Sequence, residues 1–105
     1  MNEVPKFMCE GSKGPHVILV QSFLCGVGCG GKFLLDGYQE EETVRAISLW
    51  QDGESIKIDG NFGPESRKKA KERYGFDFES ACQIVRGVTC FIQPNGEKIL
   101  WSPQV

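Results

Sequence analysis

The sequence predicts a mainly helical domain with three core helices, a short fourth helix and a C-terminal β-hairpin. Three observations carry this expectation. DGYQEEET (Asp36 to Thr43) and DGNFGPES (Asp59 to Ser66) share an Asp-Gly start, an acid before the last residue and a terminal hydroxyl, so the chain repeats a unit in which a turn feeds a helix. Apolar residues recur at helical spacing after the first copy, and Ala70 and Tyr74 continue a face from Ser66 after the second. Near the C-terminus, Asn95-Gly96 lies between two short apolar runs, a strong hairpin signal.

The first helix is predicted over Pro15 to Leu24. Ser12 and Gly14 sit in the preceding turn, Pro15 suits the first helical position, and Val17, Val20, Gln21 and Leu24 share one face. Taken alone, the β-branched run from Val17 to Val20 also suits a strand. Cys25 to Lys32 is glycine-rich and has no periodicity. The second helix is predicted over Glu40 to Gln51, with Glu40, Glu41 and Glu42 at the positive end of the dipole and Thr43, Ala46, Ile47 and Trp50 on the inner face.

In the second copy, Gly60 accepts positive φ, Phe62 is the apolar anchor, and Gly63-Pro64-Glu65 opens a helix running to Tyr74. Arg67, Lys68, Lys69, Lys71 and Arg73 are expected on its solvated side. A fourth helix over Asp77 to Arg86 is capped by Asp77, stopped at Gly87, and turns Phe78, Ala81, Cys82 and Val85 inward. VTCFIQ and EKILW then form the hairpin, and a two-residue Asn-Gly turn would pair Ile92 with Ile99 and Cys90 with Trp101 on one face. Such a hairpin needs other layers to cover it.

A chain of 105 residues with a net charge of -2 and 40% hydrophobic content fits one domain over residues 1–105. Near-neutral charge gives no general attraction to nucleic acid or anionic membranes. No apolar run approaches the roughly 20 residues of a membrane span, and Met1 to Pro5 lacks the features of a signal peptide. Cys9, Cys25, Cys29, Cys82 and Cys90 are an odd number of cysteines, leaving at least one unpaired if the others bridge. In an oxidising compartment bridging is expected to involve Cys25, Cys29, Cys82 or Cys90, with Cys9 left over near a frayed end, and reduced cysteines buried in the core are the alternative.

A catalytic constellation is hard to assemble. His16 is the single histidine, so a cysteine-histidine nucleophile or zinc hydrolase site would have to centre on it; it is expected as an exposed first-turn residue. Cys25 and Cys29 lack the spacing of a standard zinc knuckle, and Glu40 to Glu42 and Glu65 are accounted for by helix starts. No catalytic residue, metal or cofactor is assigned. Trp50, Phe62 and Trp101 fall at core positions. Asp36 and Asp59 satisfy their own turns, while Tyr38 stands where its ring can meet a ligand.

In order, VPKFMCEGSKGPHVILVQSFL, LLDGYQEEETVRAISLWQ and IDGNFGPES resemble the peptidoglycan-binding domain, the three-helix kind found in cell-wall hydrolases and phage lysins. The resemblance covers Val4 to Tyr74 and rests on Gly11, Ser12, Gly14, Val17, Gln21 and Leu24, on Asp36, Gly37, Thr43, Ala46, Trp50 and Gln51, and on Asp59, Gly60, Phe62, Gly63 and Ser66. Gln39-Glu40 stands where the family has Phe-Gly, and residues 75–105 form an extension. The resemblance implies a non-catalytic, monomeric cell-wall module outside the cell or in its envelope, which binds peptidoglycan or its stem peptides and targets an attached or partner hydrolase. Its implied ligand-binding residues are Asp36, Tyr38, Gln51, Asp59, Asn61, Phe62 and Arg67, around a shallow groove shaped by the two Asp-Gly turns. Tyr38 would pack on a sugar or methyl, Gln51 and Asn61 would bond amides, and Arg67 would pair with a carboxylate. Two alternatives remain. One is a protein-interaction adaptor on the same fold; the other is a propeptide-like inhibitor of a metalloprotease, for which Cys25-Gly26-Val27 lies after the wrong helix.

Overall fold

The computed structural model describes residues 3–31 and 35–103; Lys32, at the end of the predicted glycine-rich loop, lies outside them. Four helices, α1 (Pro15–Gly26), α2 (Glu41–Gly53), α3 (Pro64–Tyr74) and α4 (Phe78–Cys82), precede an antiparallel hairpin of β1 (Thr89–Ile92) and β2 (Lys98–Trp101). The buried cluster joins α1, α2, α3, α4 and the hairpin through Val17, Leu24, Ile47, Trp50, Ala70, Phe78, Phe91 and Trp101, with Met8 and Phe62 from the connecting segments. At its centre Phe23 meets Trp50 edge-on at 5.3 Å and stacks on Phe76 at 4.8 Å, geometries that suit aromatic quadrupoles.

Val17 to Val20 is helical, because the start of α1 is fixed from outside. Gly14 offers no side-chain cap, so the Thr89 hydroxyl on β1 accepts the His16 backbone N–H at 3.0 Å and also meets the ring Nδ1. The strand therefore caps the helix across the fold. A Cβ at Gly14 would sit 2.7 Å from the Thr89 Cα, so this approach requires glycine. His16 is consequently fully buried, not exposed as expected, and its ring packs edge-on against Trp101 at 5.1 Å.

The helix predicted over Asp77 to Arg86 ends at Cys82, although Asp77 caps it as expected by accepting from the Ser80 N–H at 3.2 Å. Ile84 and Arg86 are exposed, so little apolar burial would support a continuation. The hairpin register also differs by one residue. Phe91 faces Ile99 and Thr89 faces Trp101, which turns Thr89 and Phe91 inward instead of Cys90 and Ile92. The cause is a three-residue loop, Pro94-Asn95-Gly96, closed by Gly96 N–H to Gln93 O at 2.8 Å and Gln93 N–H to Glu97 O at 2.9 Å. A one-residue change in loop length exchanges the two faces of a strand.

The hairpin has a third neighbour. Cys9 N–H bonds to Ile92 O, Lys13 and Cys90 exchange both backbone bonds, and Ile92 N–H reaches the Ser12 hydroxyl. The opposite edge of the same segment pairs with the first Asp-Gly turn, through Gly11 N–H to Gln39 O, Gln39 N–H to Ser12 O and Gly14 N–H to Gly37 O. Cys9 is therefore buried and ordered, not frayed. All five thiols are free in the structure, which corresponds to the alternative of reduced cysteines. Burial pushes the Cys82 thiol up to about 12.

Gly60 gives a direct test of this packing. Its φ is 72°, and an added Cβ would meet the Val44 Cγ1 at 2.7 Å. Gly60→Val is expected to destabilise the domain by roughly 1–3 kcal/mol, measured as a fall in melting temperature; an unchanged value would refute the turn geometry.

Candidate functional site

Two glutamines explain how the repeated turns are built. Gln21 lies on α1, fully buried, and its Oε1 accepts the Gly37 N–H at 2.9 Å. Its Nε2 faces Asp36 Oδ1 at 2.9 Å, Tyr38 O at 3.1 Å and Thr43 Oγ1 at 3.0 Å. Gln51 on α2 repeats the arrangement one unit later. Its Oε1 accepts from Asp59 and Gly60, while its Nε2 faces Asp59 Oδ1, Asn61 O and Ser66 Oγ at 2.9 to 3.0 Å. In each turn the aspartate also accepts the N–H two residues on, from Tyr38 and Asn61 respectively, at 3.0 Å. The terminal hydroxyl of each motif completes the same network.

The expected ligand residues fall in different environments. Gln51 has no amide valence left for a ligand, and Phe62 is fully buried in the core; both support the surface from beneath. Asp36 and Asp59 are exposed but committed to their turns. Tyr38 is 50% exposed. It projects into a groove of about 530 Å³ with Lys13, Pro15, Ile18, Asp36, Val88 and Leu100. The hairpin supplies one wall, so Lys13, Val88 and Leu100 are lining residues that the repeat pattern does not single out. A smaller hollow of about 180 Å³ adjoins it, where Asp36 and Tyr38 meet Glu40, Glu41 and Glu42. Those acids make the start of α2 unsuited to a carboxylate.

Arg67 lies elsewhere. Expected on the solvated side of α3, it is only 6% exposed, because α4 and the N-terminal segment cover that side. Its guanidinium stacks over Phe78, with Cζ 4.7 Å from the ring centroid. Burial lowers its pKa to about 10. It lines a separate cavity of about 420 Å³ between the N-terminal segment, α3 and α4. Asp59 and Asn61 line neither this cavity nor the Tyr38 groove, so the predicted residues are not gathered into one groove.

No family model and no curated protein matches the chain. The crystal structure of the SleB N-terminal domain matches with a TM-score of 0.59 at 25% identity, over 68% of this chain and 96% of that one. The chain is similar to the N-terminal domain of SleB. Nearly the whole SleB domain is covered, and this chain extends beyond the match. Among the described residues, no group of three or more His, Cys, Asp or Glu side chains could hold a metal ion, and no helix is long and apolar enough to cross a membrane.

Two predictions follow from the turn chemistry. Gln51→Leu keeps the apolar stem but strips the second turn of its partners, and is expected to cost about 2–4 kcal/mol in chemical denaturation; a loss below about 0.5 kcal/mol would show that the clamp is dispensable. The second concerns pH. The backbone N–H of Tyr38, then Gln21, holds the Asp36 carboxyl below its usual range, and the Ser80 N–H does the same for Asp77. Burial lowers the His16 pKa. An unfolded histidine gains its proton near pH 6.5 and unfolded aspartates near 3.9, so the folded state binds fewer protons in both windows and loses stability as pH falls through them. Melting temperature should decline from about pH 6.5 downward, and again below about pH 4. Asp36→Asn with Asp77→Asn should weaken only the second decline.

Proposed function

We propose that this protein is a non-catalytic peptidoglycan-binding module that concentrates an attached or partner enzyme on the cell wall. The observation that carries the reading is the pair of glutamine-clamped Asp-Gly turns. They occur in the motif order of the peptidoglycan-binding domain, on a fold similar to the N-terminal domain of SleB. Residues 4–74 serve as the binding core, and the C-terminal extension walls the groove through Val88, Cys90 and Leu100. Weak contacts repeated along a polymer suffice for such targeting, since each bound module raises the local concentration of its enzyme.

Within this reading the Tyr38 groove takes the ligand. The half-exposed ring packs on a sugar face or a stem-peptide methyl, and Lys13 pairs with a stem carboxylate at the rim. Ile18, Val88 and Leu100 supply apolar contact. Asn61 stands at the matching position of the second turn as a secondary contact. The groove is open, so affinity for a soluble fragment should lie between micromolar and millimolar, about -4 to -8 kcal/mol.

Co-sedimentation with purified sacculi tests this. Wild-type protein should pellet, and Tyr38→Ala should weaken binding by about 1–2 kcal/mol, roughly five- to thirtyfold, while circular dichroism confirms its fold. Asn61→Ala should have a smaller effect. If Tyr38→Ala pellets like wild type, the groove is not the site. If wild type fails to pellet with several wall chemotypes, the apolar groove lining favours the protein-interaction adaptor instead.

A further inference from the structure

His16 joins the groove wall to the helical core. It is the single histidine of the chain, it is fully buried, and its ring Nδ1 meets the same Thr89 hydroxyl that accepts its backbone N–H. Thr89 lies on β1 between Val88 and Cys90, and both of those line the Tyr38 groove together with Leu100 of β2. No acid faces the ring among the described residues. β1 presents Thr89 and Phe91, β2 presents Trp101, and α4 presents the backbone of Cys82, whose own thiol burial keeps protonated. A neutral imidazole suits this setting, since Nδ1 can take the Thr89 O–H while the same oxygen accepts the His16 N–H. A second proton makes both ring nitrogens donors. The Thr89 hydroxyl proton then loses its acceptor, and Nε2 has no hydrogen-bond partner among the described residues. The nearby Cys82 backbone favours the cation, but the cost of desolvation is larger, so the ring pKa lies below its ordinary value. Exposing the ring to water relieves this conflict.

The place where the fold can part is the hairpin. Gly87, with φ 116°, is the joint before β1, and beyond it the hairpin is tied to the rest by backbone bonds to Cys9, Ser12 and Lys13, by burial of Phe91 and Trp101, and by the pair of His16 and Thr89. Among these ties only His16 titrates between pH 5 and 8. The helical core has a claim to stand without the hairpin: 68% of this chain covers 96% of the SleB N-terminal domain, so a fold of this kind closes without a segment as long as the C-terminal extension. We propose that His16 is a proton-operated latch, whose protonation below neutral pH releases the β1–β2 hairpin from α1 and removes the hairpin wall of the Tyr38 groove while the helical core stays folded. The consequence for ligand binding rests on the reading of that groove as the binding site; the release itself does not.

The test is amide hydrogen exchange of the full chain, followed residue by residue by NMR between about pH 7.5 and pH 5. An opening that takes up one proton becomes up to about tenfold more favourable per pH unit below about 6.5. After correction for the intrinsic exchange rate, the Cys90 and Ile92 amides, which bond to Lys13 and Ser12, should lose protection by up to about tenfold per unit in that range. The Gly60 amide, held by Gln51, and those of α2 should not. His16→Gln, neutral throughout, should remove the pH dependence. Should that variant fail to fold, the NMR titration of the single histidine in the wild type replaces it, and a midpoint at or above about 6.5 overturns the latch. Simultaneous loss of protection in the hairpin and in α2 means global unfolding and also overturns it, as does a pH dependence that survives His16→Gln. Sacculus pelleting at neutral and acid pH carries the result to the groove. Wild type should pellet less in acid and His16→Gln should not; equal losses in both overturn the consequence for binding. A wild type that fails to pellet even at neutral pH defeats the groove reading, while the exchange data still decide the latch.

Discussion

The fold depends on two buried amides. A tight turn must find partners for the N–H and C=O groups that point into it, and a side-chain amide is among the few groups that present both donors and an acceptor to one place. Gln21 does this for the turn before α2, and Gln51 does it for the turn before α3. Each helix thus sets where the next begins. Gln39 ties the units together, its Nε2 facing Met8 O at 2.9 Å and Gly60 O at 3.3 Å. Exposed residues such as Tyr38 inherit their position from amides that never reach the surface, which separates the residues that hold the surface from those that form it.

Much of this was legible in the sequence, for identifiable reasons. The start of α3 at Gly63-Pro64 follows from local chemistry, and its end at Tyr74 falls where the sequence places it, with Gly75 as the left-handed cap in the structure. The Asp-Gly turns and the core positions of Trp50, Phe62 and Trp101 were equally local inferences. His16 and Arg67 were placed on solvated faces because helical periodicity assigns faces without knowing what covers them. In both cases the cover comes from distant chain, the hairpin over the start of α1 and the N-terminal segment with α4 over α3. The hairpin register failed for a different reason, since Asn-Gly signals a turn without stating whether Pro94 belongs to it. The candidate site was divided similarly: the residue types were visible, but their assortment into two cavities depended on segments with no motif of their own.

The segment from Met8 to Gly14 has no helix or strand assignment beyond isolated bridges, yet it holds the molecule together. It pairs with the hairpin on one edge and with the first turn on the other, and Met8 O accepts the Phe62 N–H at 2.9 Å. This arrangement supplies the cover that a two-stranded hairpin lacks in isolation. It also explains why the groove has walls from both ends of the chain.

That closure has a consequence for biosynthesis. Ser12 and Ile92 are 80 residues apart in sequence, and His16 and Thr89 are 73 apart. A ribosome adding about 5–20 residues per second completes both helix units seconds before β2 emerges. During that interval α1 lacks its external cap, Met8 to Gly14 lacks its strand partner, and the Tyr38 groove has one wall. The repeat units come first and the groove is finished last, so a nascent or truncated chain can contain every residue of the motif and still present no complete groove.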